Sequence, residues 1–257
     1  MGLTALVHVP SPRMDEAVRT HVPHETIDVA RVAEQHEGYR RMLEGCGVEV
    51  RVLDANREHP DCVFVEDTAI VLDELAIVAS MGAPSRAREP SGIEPALRRC
   101  REEVVRIEAP ATIEGGDVLR VGRKLLVGVT SRTNALGLVA LSEIVRPRGY
   151  VVVPVRVSGC LHFKTACTAL PDGTLLVNPA WIDLGSLLGF ELLGVHEDEP
   201  HAANVLLAGD VVCTGTSSPG TTAEIRRRGF DVRTTDLSEL AKAEGCATCL
   251  SLIFRTP

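Results

Sequence analysis

Short apolar runs of strand length alternate along the chain with stretches of helical periodicity. Leu-Thr-Ala-Leu-Val-His-Val from Leu3, Val-Glu-Val-Arg-Val-Leu from Val48, Cys-Val-Phe-Val-Glu-Asp from Cys62, Ala-Ile-Val-Leu from Ala69 and Ala-Ile-Val-Ala-Ser from Ala76 each read as a strand. Helices are expected over Ile93–Val105, Thr133–Val145 and Thr221–Arg228, and another from near Asp28. The least regular stretch, Pro10 to Thr26, joins the first strand to that helix; connections of this length often cover a site.

The pattern repeats. Residues 67–86, 116–134, 168–182 and 204–221 each show strand, tight polar turn, strand and a Ser/Thr/Pro-rich link, and in three of them a helical stretch follows with Ser or Thr placed to cap it. One such unit cannot bury its own sheet face, so several copies are expected to pack around a common centre. The expectation is an α/β fold of about five modules arranged radially, a single domain over residues 1–257; an ordinary mixed α/β sandwich fits the same periodicity.

Composition narrows the function classes. Hydrophobic residues make up 45% of the chain and aromatics only 3%, which gives an aliphatic core and no stacking platform for bases. A formal net charge of -8 argues against a nucleic-acid backbone as partner, which needs a basic surface. The amino terminus has no basic stretch before its short apolar run, and no segment approaches the roughly 20 apolar residues a membrane span needs. A soluble cytoplasmic protein, monomer or homodimer, is expected, and its eight scattered cysteines then read by default as buried thiols.

Polar residues interrupt apolar runs in three places, as functional sites commonly do. Pro60-Asp61-Cys62-Val63-Phe64-Val65-Glu66-Asp67 sets three carboxylates around one apolar run, which a strand bounded by solvated acids would also do. Ile113-Glu114-Gly115-Gly116-Asp117 joins two acids to a glycine pair that permits close backbone approach, or marks a hairpin turn. Cys160-Leu161-His162-Phe163-Lys164-Thr165 alternates His and Lys with apolar neighbours, and alone its His reads as an ordinary strand residue. Near the carboxyl end, Cys246-Ala247-Thr248-Cys249 has the spacing of a redox pair or half a zinc site, yet no second ligand pair exists and the segment runs into an apolar strand. A single nucleophilic cysteine ranks first. Gly215 to Thr221 lacks the Gly-Lys-Ser/Thr ending of a phosphate loop and reads as a helix entry turn, and the acidic run Glu197 to His201 reads as a solvated turn.

Taken in order, PDCVFVED, GAPSR, EGGDVL with the following VGVTSRTN, LHFKT and a terminal Cys before an apolar strand resemble the dimethylarginine dimethylaminohydrolases of the pentein, or guanidino-group-modifying, superfamily, over nearly the whole chain. The resemblance implies a five-module pseudo-symmetric α/β propeller. It implies Cys249 as nucleophile, His162 as general acid and base, and Glu114 as the carboxylate partnering the His. Asp67 and Glu66 match acids near the guanidinium, Asp61 another acid of the substrate site, and Arg86 and Arg132 the residues holding the amino-acid carboxylate.

The expected reaction is hydrolysis of Nω-methylated arginine, a small cationic amino acid, to citrulline and an amine through a covalent thiouronium on Cys249, with no metal or organic cofactor and with zinc only as an inhibitor trapped with the help of Cys246. Cys246 is alternatively structural or a disulfide partner of Cys249. Arginine deiminases and amidinotransferases share this pattern but carry His-x-Asp, where this chain has His162-Phe163-Lys164. Deimination or amidino transfer with the same cysteine is the nearest alternative; a non-catalytic pentein binding protein and a zinc-binding regulatory module are alternatives of another class.

Overall fold

The computed structural model describes residues 2–256. The strands among them are β1 Leu3–His8, β2 Val48–Leu53, β3 Ala69–Val71, β4 Leu75–Val78, β5 Glu103–Arg106, β6 Val118–Val121, β7 Lys124–Val129, β8 Val151–Arg156, β9 Cys167–Ala169, β10 Leu175–Val177, β11 Leu192–Gly194, β12 Leu206–Ala208, β13 Val211–Gly215, β14 Val232–Thr235 and β15 Leu252–Arg255. The α-helices are α1 Val29–Gly45, α2 Glu89–Arg98, α3 Ala135–Val145, α4 Phe163–Ala166, α5 Pro219–Arg227 and α6 Ser238–Ala241.

These strands form five three-stranded sheets, ordered β15-β1-β2, β3-β4-β5, β6-β7-β8, β9-β10-β11 and β12-β13-β14. In every sheet the first pair is antiparallel and the second parallel, so one plan is used five times. A parallel pair needs a crossover. Helices α1, α2, α3 and α5 supply it in four modules, and a 3₁₀ turn over Leu184–Leu187 supplies it in the remaining one, β9-β10-β11. The last strand of the chain pairs with the first, Leu3 opposite Arg255, so the two ends of the sequence complete one module and close the ring. This is the five-module pentein propeller, not a sandwich.

Burial follows position in the sheet. Middle strands are covered on both faces and read as unbroken apolar runs, as in Leu75–Val78, whereas outer strands such as β5 and β14 are partly exposed. The inner strands β3, β6, β9, β12 and β15 surround a central cavity of about 400 Å³.

Helix positions differ from expectation in instructive ways. The helix expected over Ile93–Val105 runs instead from Glu89 to Arg98, and Val104 and Val105 belong to β5, pairing with Ala76 and Ile77. Sheet pairing overrides the local helical period there. Nor do Ser or Thr side chains cap the module helices: Asn134 caps α3 and Asp28 caps α1, while α2 and α5 begin with no side-chain cap.

Candidate active site

A short turn precedes each inner strand, and five of the candidate residues stand on these turns, whereas Asp61, Arg86 and Arg132 lie outside them. Val65–Thr68 leads into β3 and carries Glu66 and Asp67; Glu114 opens the Gly115–Asp117 turn before β6; His162 opens α4 before β9; and Thr248–Leu250, with Cys249, leads into β15. In the remaining module the equivalent residue is Asn204, whose Oδ1 accepts from Thr248 N at 3.0 Å and whose Nδ2 donates to Thr248 Oγ1 at 3.0 Å and to the Lys164 carbonyl at 3.1 Å. Five modules thus deliver five turns to one end of the ring axis. The strands expected over Cys62–Asp67 and around His162 are absent. Those segments are apolar because the turns themselves are buried, and burial in a turn leaves the same sequence trace as a strand.

Glu114 and His162 form a buried pair. The imidazole Nε2 lies 2.7 Å from Glu114 Oε2, while Glu114 Oε1 accepts the backbone N–H of Gly82 at 2.9 Å and of Ala83 at 3.3 Å. The carboxylate is therefore held by the GAPSR loop and fixes Nε2–H as the donor. That leaves Nδ1, 3.7 Å from Asp67 Oδ1, as the nitrogen able to exchange a proton. Burial opposes the imidazolium, but Asp67, the Glu114 hydrogen bond and Asp117 outweigh it and raise His162 to about 9. Burial likewise disfavours the Glu114 carboxylate, yet the His162 hydrogen bond and charge, with Arg86 and Arg132, hold it near 2. The glycine pair permits this approach: a Cβ on Gly116 would lie 2.8 Å from the His162 ring, and one on Gly115 2.1 Å from the Glu66 carbonyl.

Asp67 stands beside the dyad. Its Oδ2 accepts from Arg86 Nη1 at 2.6 Å, and its Oδ1 is buried without a hydrogen-bond partner among the described residues. Arg86 is itself buried and committed, donating also to Glu89 and to the carbonyl of Phe64. Arg132 differs: its guanidinium makes no hydrogen bond among the described residues, its nearest acid being Glu114 Oε1 at 3.7 Å. Asp61 Oδ1 accepts the Val18 backbone N–H at 3.1 Å, tying the acid to the 10–26 loop, and burial raises its carboxyl above the usual range against the pull of Arg86.

Asp61, Asp67, Arg86, Arg132, His162 and Cys249 line one small cavity of about 20 Å³, together with Val18, Phe64, Leu161, Ala243 and Glu244. Glu66 is not among its walls. It faces the central cavity, bound to Lys164 Nζ at 2.7 Å and Thr248 Oγ1 at 2.7 Å. Cys249 Sγ accepts the Cys246 backbone N–H at 3.4 Å. Burial, then Cys246, Glu66 and Asp67, push its thiol well above the ordinary range, with that single N–H acting the other way. Cys246 is a free thiol, raised to about 12 chiefly by burial.

Val18, Asn204 and Glu244 gave no signal in the sequence. Glu244 combines a left-handed backbone, φ 62°, with a carboxylate that accepts the N–H of Thr20 at 2.6 Å and of His21 at 3.0 Å, so it holds the 10–26 loop over the cavity. The phosphate-loop look-alike is indeed a helix entry: Glu199, from the acidic run, accepts the Gly220 and Thr221 N–H groups at 2.7 Å each and occupies the start of α5. Asp67, Glu114 and His162 place ligand-type atoms within 4.8 Å of one another. With one Glu114 oxygen on two backbone donors and the other on His162, the trio suits proton transfer better than metal coordination.

The family model described as N,N dimethylarginine dimethylhydrolase, eukaryotic, matches residues 11–168. An N(G),N(G)-dimethylarginine dimethylaminohydrolase of Streptomyces coelicolor is 39% identical over 251 residues, covering 98% of this chain and 96% of that protein. The solved structure of dimethylarginine dimethylaminohydrolase from Pseudomonas aeruginosa, a C249S mutant complexed with citrulline, matches with a TM-score of 0.92 at 31% identity, covering 99% of this chain and 100% of that one. The product-bound N-terminal domain of ArgZ, a cyanobacterial arginine dihydrolase, matches with a TM-score of 0.89 at 22% identity, covering 100% of this chain and 99% of that one, which shows a shared fold.

Proposed function

The chain belongs to the dimethylarginine dimethylaminohydrolase family and is a hydrolase, and from that premise we propose that it converts Nω-methylated arginine to citrulline and dimethylamine or methylamine by covalent catalysis at Cys249. The observation that carries the reading is Asp67 Oδ1: a buried carboxylate oxygen with no partner, in the wall of the cavity that Cys249 and His162 also line. A guanidinium N–H is the donor such an oxygen lacks. The cation would also offset the burial and the neighbouring acids that keep the Cys249 thiol protonated, so substrate binding itself favours the thiolate.

The thiolate adds to the guanidinium carbon, and His162 Nδ1–H protonates the departing amine as its C–N bond breaks. An S-alkylthiouronium remains on Cys249. Neutral His162 then takes a proton from water, the hydroxide adds to the same carbon, and the C–S bond breaks to give citrulline and the thiol. Glu114 keeps Nε2 protonated throughout, so each exchange passes through Nδ1. The sequence of steps uses no metal or organic cofactor.

Arg132 takes the substrate carboxylate, being the cation in the cavity whose guanidinium is not already hydrogen-bonded. Arg86 joins it only by leaving Asp67. A cavity of about 20 Å³ does not hold an amino acid, so entry requires the 10–26 loop to lift from Glu244. The test is product analysis with asymmetric dimethylarginine, monomethylarginine and arginine in parallel. Citrulline with dimethylamine or methylamine is expected, and a clear preference for arginine overturns the substrate assignment.

A further inference from the structure

Asp117 is a fully buried carboxylate outside the residues assigned above, and among the described residues it forms no ion pair within 4 Å. Its Oδ1 accepts the Phe163 backbone N–H at 2.9 Å; its Oδ2 accepts the hydroxyls of Thr133 at 2.6 Å and Thr130 at 2.7 Å. Each of those donors is one step from a site residue. Phe163 follows His162 and begins the α4 turn. The Thr133 hydroxyl oxygen accepts the Glu114 backbone N–H at 3.2 Å. That of Thr130 accepts the N–H groups of Arg132 at 3.0 Å and of Thr133 at 3.2 Å.

We propose that Asp117 is a positioning residue: one buried carboxylate sets the relative placement of Glu114, Arg132 and His162, which come from three separate segments of the chain. The proposal rests on the reading of His162 and Glu114 as the proton-transfer pair. Accepting three donors on two oxygens requires a carboxylate, since an amide offers one acceptor oxygen and turns an N–H₂ toward hydroxyls that are already donating. The surroundings are shaped to admit it. Gly128 has no side chain where a Cβ would lie 2.8 Å from Asp117 Oδ1 and 2.6 Å from Phe163 Cβ. Burial alone pushes the Asp117 carboxyl up, which is costly in a purely structural turn, and the charge that acts against this is the imidazolium of His162, in front of it.

The test compares Asp117→Asn, Thr133→Val and Thr133→Ser by steady-state kinetics on asymmetric dimethylarginine, thermal melting, and the exchange-protected low-field proton resonance expected of His162 Nε2–H, assigned by its loss in His162→Gly. Asp117→Asn should lower kcat by about tenfold or more, exceeding its effect on KM, and shift or broaden the resonance. Thr133→Val, which unties Glu114 alone, should lower kcat with KM nearly unchanged, and Thr133→Ser should restore it. Asp117→Asn and Thr133→Val enzymes that keep kcat within about twofold of the parent and leave the resonance in place overturn the proposal, whatever their melting temperatures. If Asp117→Asn does not fold, the Val and Ser pair decides. If the parent enzyme turns over no methylarginine, the substrate reading fails and the resonance alone decides the role of Asp117.

Discussion

Lys164 Nζ lies 2.7 Å from Glu66 Oε1, a nearly buried ion pair in the wall of the central cavity. It neutralises one of two consecutive acids and leaves Asp67 as the anion presented to the site. The Lys of His162-Phe163-Lys164 therefore acts through Glu66.

Removing Lys164 strands that acid. Lys164→Met should cost about 3 to 5 kcal/mol in urea unfolding, because Glu66 is left buried without its cation, and the double variant with Glu66→Gln should recover most of the loss. A double variant no more stable than the single one contradicts the pairing.

The pH dependence follows from the dyad. His162 is raised to about 9, so the imidazolium is present below that value and lost as pH rises through it; Glu114 is held near 2, so its carboxylate is lost only as pH falls toward 2. Stability contributed by the pair is complete between the ordinary Glu and His values, roughly pH 4.5 to 6.5, then declines as pH rises to about 9 and as it falls to about 2. The rate profile of kcat/KM should show a basic limb near 9 that His162→Gly abolishes.

The two arginines should separate. Arg132→Ala is expected to raise KM by about tenfold or more with less loss of stability than Arg86→Ala, because that guanidinium makes no hydrogen bond among the described residues and only a 3.7 Å ion pair with Glu114. Arg86→Ala leaves Asp67 and Glu89 buried without their cation, and calorimetry should show a markedly lower melting temperature before any kinetic effect is read.

Glu244 is the latch. Glu244→Ala and Glu244→Gly both remove the acceptors for Thr20 and His21, and each should raise KM by roughly fivefold to thirtyfold, the worth of one or two hydrogen bonds. Only glycine fits φ 62° without strain, so the Gly variant should melt higher than the Ala variant. Equal KM values in parent and variants would show that the loop does not need this contact to close.

Much of this was legible in the sequence because the modules reuse one strand-turn-strand plan, and the repeat survives where local periodicity misleads. Asp61, Asp67, Arg86, Arg132, His162 and Cys249 were all named from motif order, and the fold brings them to one cavity. Glu66, expected near the guanidinium, pairs with Lys164, a contact between residues 98 positions apart that no local pattern encodes. The strands expected around Cys62 and His162 failed for a related reason: turns buried at the ring centre need apolar residues as strands do. Asn204 and Glu244 act through position alone, one on the fifth turn and one under a loop more than 220 residues away.

Attack of Cys249 on the guanidinium carbon is the step on which the proposed reaction depends. The most direct test is intact-protein and peptide mass analysis of enzyme acid-quenched during turnover of asymmetric dimethylarginine. An adduct of the thiouronium's mass on the Cys249 peptide, absent from Cys249→Ser, is the predicted result. Undiminished citrulline production by Cys249→Ser, or an adduct on another residue, would contradict it.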